Sequence, residues 1–362
     1  MLENLMKKSN LIFNFFSNLV KRSRDAEQKL ESTVKNVPKI TNNTITDVRE
    51  SILKDARKYI YPLKHPKHYI VRFSIFLVSL GLIFFLAFSS VEIYVFQSSS
   101  DFIYGVSDIL PFPVAYSGTS LISYHNYLFE LRRNMHYFET QQQINFSESI
   151  NSNLLSHLKT ESMNQVVLNF YVKQLAKKYN VSVSTQEVNN EIAYFQSQNR
   201  LGSNISVLEN VLDNFWGWSL SDFKTELKNE LLQQKVVYKL DTQTVSLANN
   251  VYSQLIKGAD FATLASQYSQ DQNTKNNGGQ YQNPILQTDR TLPPQVMAEL
   301  FRLKVGQLSP IINTGYTLEI LKVDSISGPT LTASHIQFNL QSINNYVKMV
   351  SVTHKIHYLI KY

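Results

Sequence analysis

The 362-residue chain contains no cysteine. This absence excludes a disulfide scaffold, a zinc or iron–sulfur site with thiolate ligands, and a thiol nucleophile. The eight histidines form no HExxH pattern. His354 and His357 lie three apart in a segment that predicts a strand, so they would point to opposite faces. The sequence therefore predicts no metal site, and we expect no cofactor.

Charged residues are also few, at 17% against 43% hydrophobic, a composition typical of a globular protein with about two domains. The net charge of +7 could indicate a nucleic-acid partner, but it is not spread evenly. Residues 1–72 contain 15 Lys and Arg against 7 Asp and Glu, whereas residues 73–362 contain 20 against 21. Because the excess lies at one end only, we expect no nucleic-acid partner.

One long apolar run is present. Residues 73–91 contain no charge, no proline and one glycine; as a helix they would extend about 28 Å, close to the roughly 30 Å of a hydrocarbon core. Tyr69 and Tyr94 could lie at the two headgroup levels, and the positive-inside rule places the basic residues 1–68 in the cytoplasm. We therefore expect residues 69–96 to cross the lipid bilayer of the cell membrane once, with the C-terminal domains extracytoplasmic. A buried core helix is the alternative.

A shorter apolar cluster lies at residues 11–20. It does not fit a signal peptide, because Asn14 and Asn18 interrupt it and no small-residue cleavage site follows. Its near-helical spacing predicts a basic amphipathic helix on the inner leaflet. A solvated tail explains the same residues equally well.

Beyond the apolar run, residues 97–111 are polar and rich in turn-forming residues, which predicts a short tether. Residues 112–240 show helical periodicity, and Ser184 with Glu187 form a capping-box pattern at the start of one helix. This part should be mostly helical.

The pattern changes after residue 240. Helices are predicted at 246–268 and 294–302, and strands at 308–313, 317–324 and 333–340. Apolar residues alternate with polar ones over 347–361, which predicts a C-terminal strand within 346–362. The fold class is therefore α+β, with a small antiparallel sheet flanked by helices.

A resemblance to the parvulin-type (PpiC-type) peptidyl-prolyl cis-trans isomerase domain rests on four ordered blocks. They are KGADFATLASQYSQD, the pair Gly278-Gly279, LPPQVMAELFRLKVGQLSPII and LEILKV. The region before them resembles the N-terminal chaperone domain of the SurA and PrsA class of foldases, through VAYSGTSLISYHNYLFELR, VSTQEVNNEI and WSLSDFKTELKNELLQQKV. The resemblance implies a helical chaperone domain at 112–240 and a parvulin-like domain at 241–345.

The resemblance also implies a site. Rotation about an X-Pro bond has a barrier of roughly 18–20 kcal/mol but breaks no covalent bond, so it needs no nucleophile or metal. The family places two histidines on the central strands, an aspartate or cysteine beside them, and a methionine and a phenylalanine around the proline. Here Asp271 matches the acidic position, and Glu319 replaces the second histidine. Two carboxylates close together could share a proton.

The proline pocket of the family matches this chain less closely. Leu292 falls where the methionine usually is, and Val296 falls where the phenylalanine is. Leucine preserves an apolar wall, whereas valine would leave the pocket more open. Phe301 reads as core and is a further candidate for contact with substrate.

The first histidine is displaced along the chain. The family's opening strand carries it, but the matching segment here, VVYKLDTQTVS, has none, and His335 follows the last strand in ASHIQF. Either ASHIQF folds back into the first-strand slot, or it begins a second, truncated copy of the domain. The first hypothesis requires His335 to lie within about one side-chain length of Asp271.

These features favour a membrane-anchored foldase that isomerises X-Pro bonds in unfolded secreted polypeptides. The alternative is a chaperone or assembly scaffold whose isomerase pocket has lost activity, which the residues at 292, 296 and 319 favour. A single-pass receptor is disfavoured because the basic tail shows no clear core.

Overall fold

The computed structural model describes residues 42–60, 66–198, 201 and 204–362. The amphipathic helix predicted at 11–20 lies outside these residues. The chain divides into two compact units, residues 1–84 and 85–362.

The apolar run is helical throughout. Helix α1 is Asn42–Ile60 and helix α2 is Pro66–Val91, which continues into a short π-helical turn at Glu92–Phe96. An 18-residue window within Tyr69–Phe96 has a mean hydropathy of 2.4, and the stretch is long and apolar enough to cross a membrane by length and composition. These bounds coincide with those of the predicted anchor, and its crossing of a membrane stays a prediction.

The predicted tether at 97–111 is wrong, because helix α3, Asp101–Ile109, occupies most of it. The hydroxyl of Ser100 caps this helix by accepting a hydrogen bond from the backbone N–H of Ile103, at 3.4 Å. Ile103 and Val106 are buried and belong to the core of the second unit. The polar and turn-forming residues of this stretch indicated a linker. Ile103 and Val106 are three residues apart, so a helix places both side chains on one buried face.

A hairpin and a set of helices follow, as predicted for 112–240. Strands β1 (Pro113–Ser117) and β2 (Ser120–Ser123) form the hairpin. The helices are α4 (Tyr124–Gln141), α5 (Ser152–Lys178), α6 (Thr185–Ser197), α7 (Ile205–Trp216) and α8 (Leu220–Leu240). The predicted capping box of Ser184 and Glu187 is present at the start of α6.

The small antiparallel sheet is also confirmed. The helices of this part are α9 (Thr242–Ile256), α10 (Phe261–Tyr268) and α11 (Pro294–Leu300). The strands are β3 (Ile285–Leu286), β4 (Ile312–Asn313), β5 (Thr317–Ser327) and β6 (Thr330–Asn339), in the spatial order β3-β6-β5-β4. The long strands β5 and β6 are joined by a tight turn and form the centre of the sheet.

Alternation along β5 and β6 buries both faces of the sheet. Leu318, Ile320, Ile336 and Phe338 pack against α9 and α10 on one face. Leu321, Val323, Leu331 and Ala333 pack against α11 on the other. Because side chains alternate at period two, Glu319 and His335 lie on the α11 face.

The predicted C-terminal strand at 346–362 is wrong. Helix α12, Ile343–Thr353, occupies the first eight residues of this segment, and strand β7 is only His357–Tyr358. Ile343, Val347 and Val350 pack against α5 and α8, and Val352, which a strand would have buried beside Val350, is 70% exposed. The apolar residues in this stretch fit both the strand repeat of two residues and the helix repeat of 3.6 residues. Contact with α5 and α8 stabilises the helix.

The chain then returns to the hairpin at the start of the second unit. Strand β7 pairs antiparallel with β1, with Tyr358 opposite Ala115. Ile360 is 6% exposed and lies in the core formed by β1, β2, α4 and α5. The last residues therefore belong to the helical part rather than to the sheet of β3–β6.

We expect Ile360→Ala to destabilise the chain by about 2–4 kcal/mol, since it truncates a buried side chain. Leu359→Ala is the matched control: Leu359 is 43% exposed, so its truncation should cost less than about 1 kcal/mol. Urea unfolding of the full chain in detergent measures both. Equal costs would contradict the placement of this segment.

Candidate functional site

The candidate site is centred on His335 of strand β6. Leu321 of β5 is the direct cross-strand partner of His335, and Glu319 pairs with Gln337, two residues further along β6. Glu319 and His335 are therefore diagonal neighbours on one face, a separation that long side chains can bridge. The antiparallel register alone brings these two groups together.

Both ring nitrogens of His335 have partners. The Nδ1 atom lies 2.7 Å from Oε2 of Glu319. The Nε2 atom lies 3.0 Å from Oδ2 of Asp271 and 2.9 Å from Oγ1 of Thr274. His335, Glu319 and Thr274 are all buried, and part of the Asp271 carboxylate reaches solvent. We call these four residues the histidine cluster.

Asp271 reaches the cluster because the chain after α10 is held against β6. The backbone N–H of Gln270 donates to the carbonyl of Gln337 at 2.8 Å, and the N–H of Gln337 donates to the hydroxyl of Ser269 at 3.2 Å. The Asp271 carboxylate then accepts from the N–H of Asn273 at 3.0 Å and from the hydroxyl of Thr274 at 2.7 Å. These bonds form an Asx-type turn that orients the carboxylate.

Tyr281 covers the imidazole. Its ring stacks on that of His335 with centroids 4.3 Å apart and planes at 25°. The segment leading to it crosses β6 closely: the N–H of His335 donates to the carbonyl of Gly279, and the N–H of Tyr281 to that of Ala333. Gly279 has φ +84°, and an added Cβ would lie 2.3 Å from the carbonyl oxygen of His335, so only glycine allows this approach.

The partners of His335 favour its protonated form. Burial by itself lowers the pKa of His335, but the hydrogen bonds and charges of Glu319 and Asp271 outweigh burial and raise it. Burial likewise acts to raise the pKa of Asp271, but hydrogen bonds from Thr274, Asn273 and His335 lower it on balance. Burial and the nearby carboxylates raise the pKa of Tyr281. The imidazolium can donate from both nitrogens to an acceptor, whereas a neutral ring would leave one lone pair facing a carboxylate.

The geometry settles how ASHIQF is used. His335 lies 3.0 Å from Asp271, within the limit set by the first-strand hypothesis. ASHIQF forms part of β6, a central strand of the same sheet, and does not begin a second copy. The carboxylates of Asp271 and Glu319 do not share a proton directly, because the imidazole lies between them. The role of these residues in catalysis stays a prediction.

A cavity of about 660 Å³ opens beside the cluster. Asp271, Thr274, Glu319 and His335 line it together with Leu292 and Tyr281. Val296 and Phe301, the other two predicted substrate contacts, lie outside its lining. Val296 is fully buried between α11 and the sheet, and Phe301 packs partly buried on the same core. The helical spacing that aligns Val296 with Met297 and Leu300 turns its side chain inward.

The opposite wall of the cavity comes from the helical part. Glu191 and Phe195 of α6 line it, as do Leu227, Glu230, Leu231 and Gln234 of α8. The hydroxyl of Tyr316 donates to Oε1 of Glu230 at 2.9 Å, which joins α8 to the turn before β5. In that turn Gly315 has φ +95°, and an added Cβ would lie 2.4 Å from the Gln234 side chain. The cavity is therefore a cleft between α6 and α8 on one side and the sheet on the other.

Thr274, Tyr281 and the acids of α6 and α8 were not predicted from the sequence. Thr274 follows Asp271 by three residues, a spacing that could have indicated a side-chain hydrogen bond. Tyr281 follows Gly278-Gly279, a pair of glycines that allows the backbone to turn sharply. Glu191 and Glu230 have no such signal, since their position depends on how α6 and α8 pack against the sheet.

Comparison with family models matches both parts of the chain. Residues 64–237 match the SurA-like N-terminal domain, and residues 231–325 match the PPIC-type PPIASE domain. The chain therefore joins a SurA-like N-terminal domain to a PpiC-type peptidyl-prolyl isomerase domain.

Named relatives point to the same class. The chain is 28% identical to a foldase protein PrsA of Caldanaerobacter subterraneus subsp. tengcongensis over 48% of this chain and 59% of the relative. It is 28% identical to a parvulin-like PPIase of Rickettsia bellii over 43% of this chain and 55% of the relative. The chain thus spans less than two thirds of the length of these curated relatives.

Among solved structures, peptidylprolyl isomerase PrsA of Bacillus anthracis matches over 51% of this chain and 84% of that chain. Its sequence identity is 20% and its TM-score is 0.17. A superposition of that quality has no bearing on the site.

The raised pKa of His335 makes stability depend on pH. A histidine with a raised folded pKa contributes stability that is complete below the unfolded value of about 6.5 and is lost as pH rises through the folded value. We therefore expect the stability gap between the wild type and His335→Asn to shrink as pH rises from 6 toward 9, measured by urea unfolding. Histidine NMR should show the pKa of His335 lower in Glu319→Gln than in the wild type.

The control for this titration is His157→Asn. His157 is exposed on α5 and pairs with exposed Glu161, so its replacement should change stability little at any of these pH values. A gap for His335→Asn that widens with pH would contradict a protonated imidazole in the folded state.

Proposed function

We propose that this protein is a peptidyl-prolyl cis-trans isomerase that acts as a foldase on unfolded, proline-containing polypeptides outside the cytoplasm. The observation that carries the proposal is the histidine cluster at the base of a cleft large enough for several residues of an extended chain. The matched isomerase and SurA-like domains support it.

The proposed mechanism is stabilisation of a twisted amide. A planar X-Pro amide carries negative charge on its oxygen through resonance, and rotation by 90° removes most of that charge. A site that withdraws water from the carbonyl therefore favours the twisted form over the planar one. With His335 protonated and both carboxylates ionised, the histidine cluster has a net charge of −1. This charge further disfavours the planar amide beside Asp271, because the planar form carries more negative charge on its oxygen.

In this proposal Asp271 is the catalytic residue that faces the substrate, because its carboxylate is the part of the cluster that reaches the cleft surface. His335 and Glu319 hold that carboxylate in place from beneath. Leu292 provides an apolar contact for the proline ring. We assign the chaperone role to residues 112–240 and isomerisation to residues 241–345, with the last residues, 346–362, returning to the helical part.

A chaperone without isomerase activity is the second candidate. It is favoured by the position of Val296, which is fully buried in the core and provides no aromatic wall for the proline. The cleft would then bind proline-containing chains without accelerating rotation.

An isomerisation assay on the full chain in detergent separates the two. We expect catalysis of Xaa-Pro rotation in a short peptide, and a loss of at least about tenfold in kcat/KM for Asp271→Ala, equivalent to about 1.4 kcal/mol of transition-state stabilisation. Asp213→Ala, an exposed aspartate on α7, is the matched control and should retain activity. Wild-type rates equal to the uncatalysed reaction, with peptide still bound, would leave the chaperone as the function.

We also propose that residues 69–96 cross the cell membrane once, with residues 1–68 in the cytoplasm and the isomerase outside. The length and hydropathy of Tyr69–Phe96 support this, and the lysine and arginine excess before it supports the orientation.

Because the chain has no cysteine, single cysteines can report topology directly. We expect Ser147→Cys, in an exposed loop of the helical part, to react with a membrane-impermeant maleimide at the outer surface of intact membranes. Ser51→Cys, exposed on α1, should react only after the membrane is permeabilised. Labelling of both sites, or of Ser51→Cys alone, before permeabilisation would contradict the orientation.

A further inference from the structure

The charges around the cleft are almost all of one sign. Four carboxylates line it, Asp271 and Glu319 in the sheet region and Glu191 and Glu230 on the helical wall. His335 is the cationic group among them, and both of its nitrogens are already engaged. Within the described parts of the chain, no lysine or arginine lines the cleft.

The two acids of the helical wall lack a cationic partner among the residues that the structure describes. Glu230 accepts hydrogen bonds from Tyr316 at 2.9 Å and from Gln234 at 3.2 Å, and both donors are neutral. Neither Glu191 nor Glu230 forms an ion pair with any residue the structure describes. Burial, and then the charge of Glu230, raise the pKa of Glu191.

Neighbouring acids on the same surfaces are paired. Glu187, one turn before Glu191 on α6, bonds to Lys235 of α8. Glu226, one turn before Glu230 on α8, lies 3.8 Å from Arg133 of α4. Ion pairs are therefore available to these two helices outside the cleft, whereas Glu191 and Glu230, which face it, form none with a residue that the structure describes.

The same wall offers apolar contact beside the charges. Phe195, Leu227 and Leu231 line the cleft next to Glu191 and Glu230. A lysine or arginine side chain is complementary to this combination, because its methylene stem can pack on the apolar surface while its charged end pairs with a carboxylate. A glutamate or aspartate at the same place would meet like charge.

We propose that this cleft selects polypeptides that carry a lysine or arginine within a few residues of the proline, with Glu191 and Glu230 as the specificity-determining residues. The inference rests on the proposed function and adds the chemical class of its substrate. The residue next to the proline lies over the histidine cluster, and the cationic side chain reaches across the cleft to the helical wall.

The test uses the full chain in detergent and three fluorescent peptides that differ only in one residue near the proline: lysine, alanine or glutamate. Binding is measured by anisotropy and isomerisation by kcat/KM, at low salt. We expect the lysine peptide to bind about five- to tenfold more tightly than the alanine peptide, in the range of one or two charge-assisted contacts, and the glutamate peptide to bind less tightly. The preference should shrink as salt increases.

The double variant Glu191→Gln/Glu230→Gln should bind the lysine and alanine peptides equally tightly, because it removes both carboxylates of the helical wall. Glu209→Gln, an exposed acid on α7, is the charge-matched control and should keep the preference. Equal wild-type binding of all three peptides, or a lysine preference that survives in the double variant, would overturn the inference. Binding and isomerisation are measured separately. Absence of isomerisation would count against the proposed function, whereas the binding results alone decide this inference.

Discussion

The contact on which the site depends is the buried imidazole of His335 between two carboxylates. A charge removed from water costs several kcal/mol unless opposite charge and hydrogen bonds replace the solvent. Glu319 supplies one partner from the adjacent strand, and Asp271 with Thr274 supplies the other from the loop after α10. The ion triad therefore couples the register of β5 and β6 to the position of that loop. A shift of either strand or of the loop would break contacts with His335.

The second constraint is the way the sheet region is held within the helical part. It begins after α8 and ends before α12, and α8 and α12 pack together with α5 in one core. The return of β7 to β1 fastens the chain at the far end. Because both ends of the sheet region are fixed to the same helices, α6 and α8 are held opposite the histidine cluster. This arrangement creates a cleft with the histidine cluster at its base and residues of α6 and α8 as its opposite wall.

The sequence resemblance predicts Glu319 at the position of the family's second histidine, and in the structure Glu319 hydrogen-bonds to His335 within the buried cluster. A histidine pair can be neutral overall, whereas a carboxylate on each side of His335 favours a protonated ring and leaves net negative charge facing the cleft. The same sign is repeated on the helical wall by Glu191 and Glu230. The cleft is thus acidic on both sides, although the chain as a whole is basic.

Much of the architecture could be predicted from local patterns. The capping box at Ser184 and the strand predicted at 317–324, which lies within β5, depend on neighbouring residues, and both predictions are confirmed. The contact between His335 and Asp271 was expected only through resemblance, since the two residues are 64 positions apart. At residues 347–361 the apolar pattern fits both a helix and a strand. The sequence alone could not decide between them, because the outcome depends on what the segment packs against.

The sequence by itself determined most of the helices and strands outside residues 97–111 and 346–362, where the long apolar run lies, and which kinds of side chain were available for the site. Hydrophobic periodicity and capping depend on residues that are close together in the chain, so they can be recognised in the sequence alone. The tertiary structure decided that Val296 points into the core, that Tyr281 covers His335, and that Glu191 and Glu230 face the cleft without a cation. Those outcomes arise from contacts between residues far apart in the chain, and only the packed molecule specifies which of them meet.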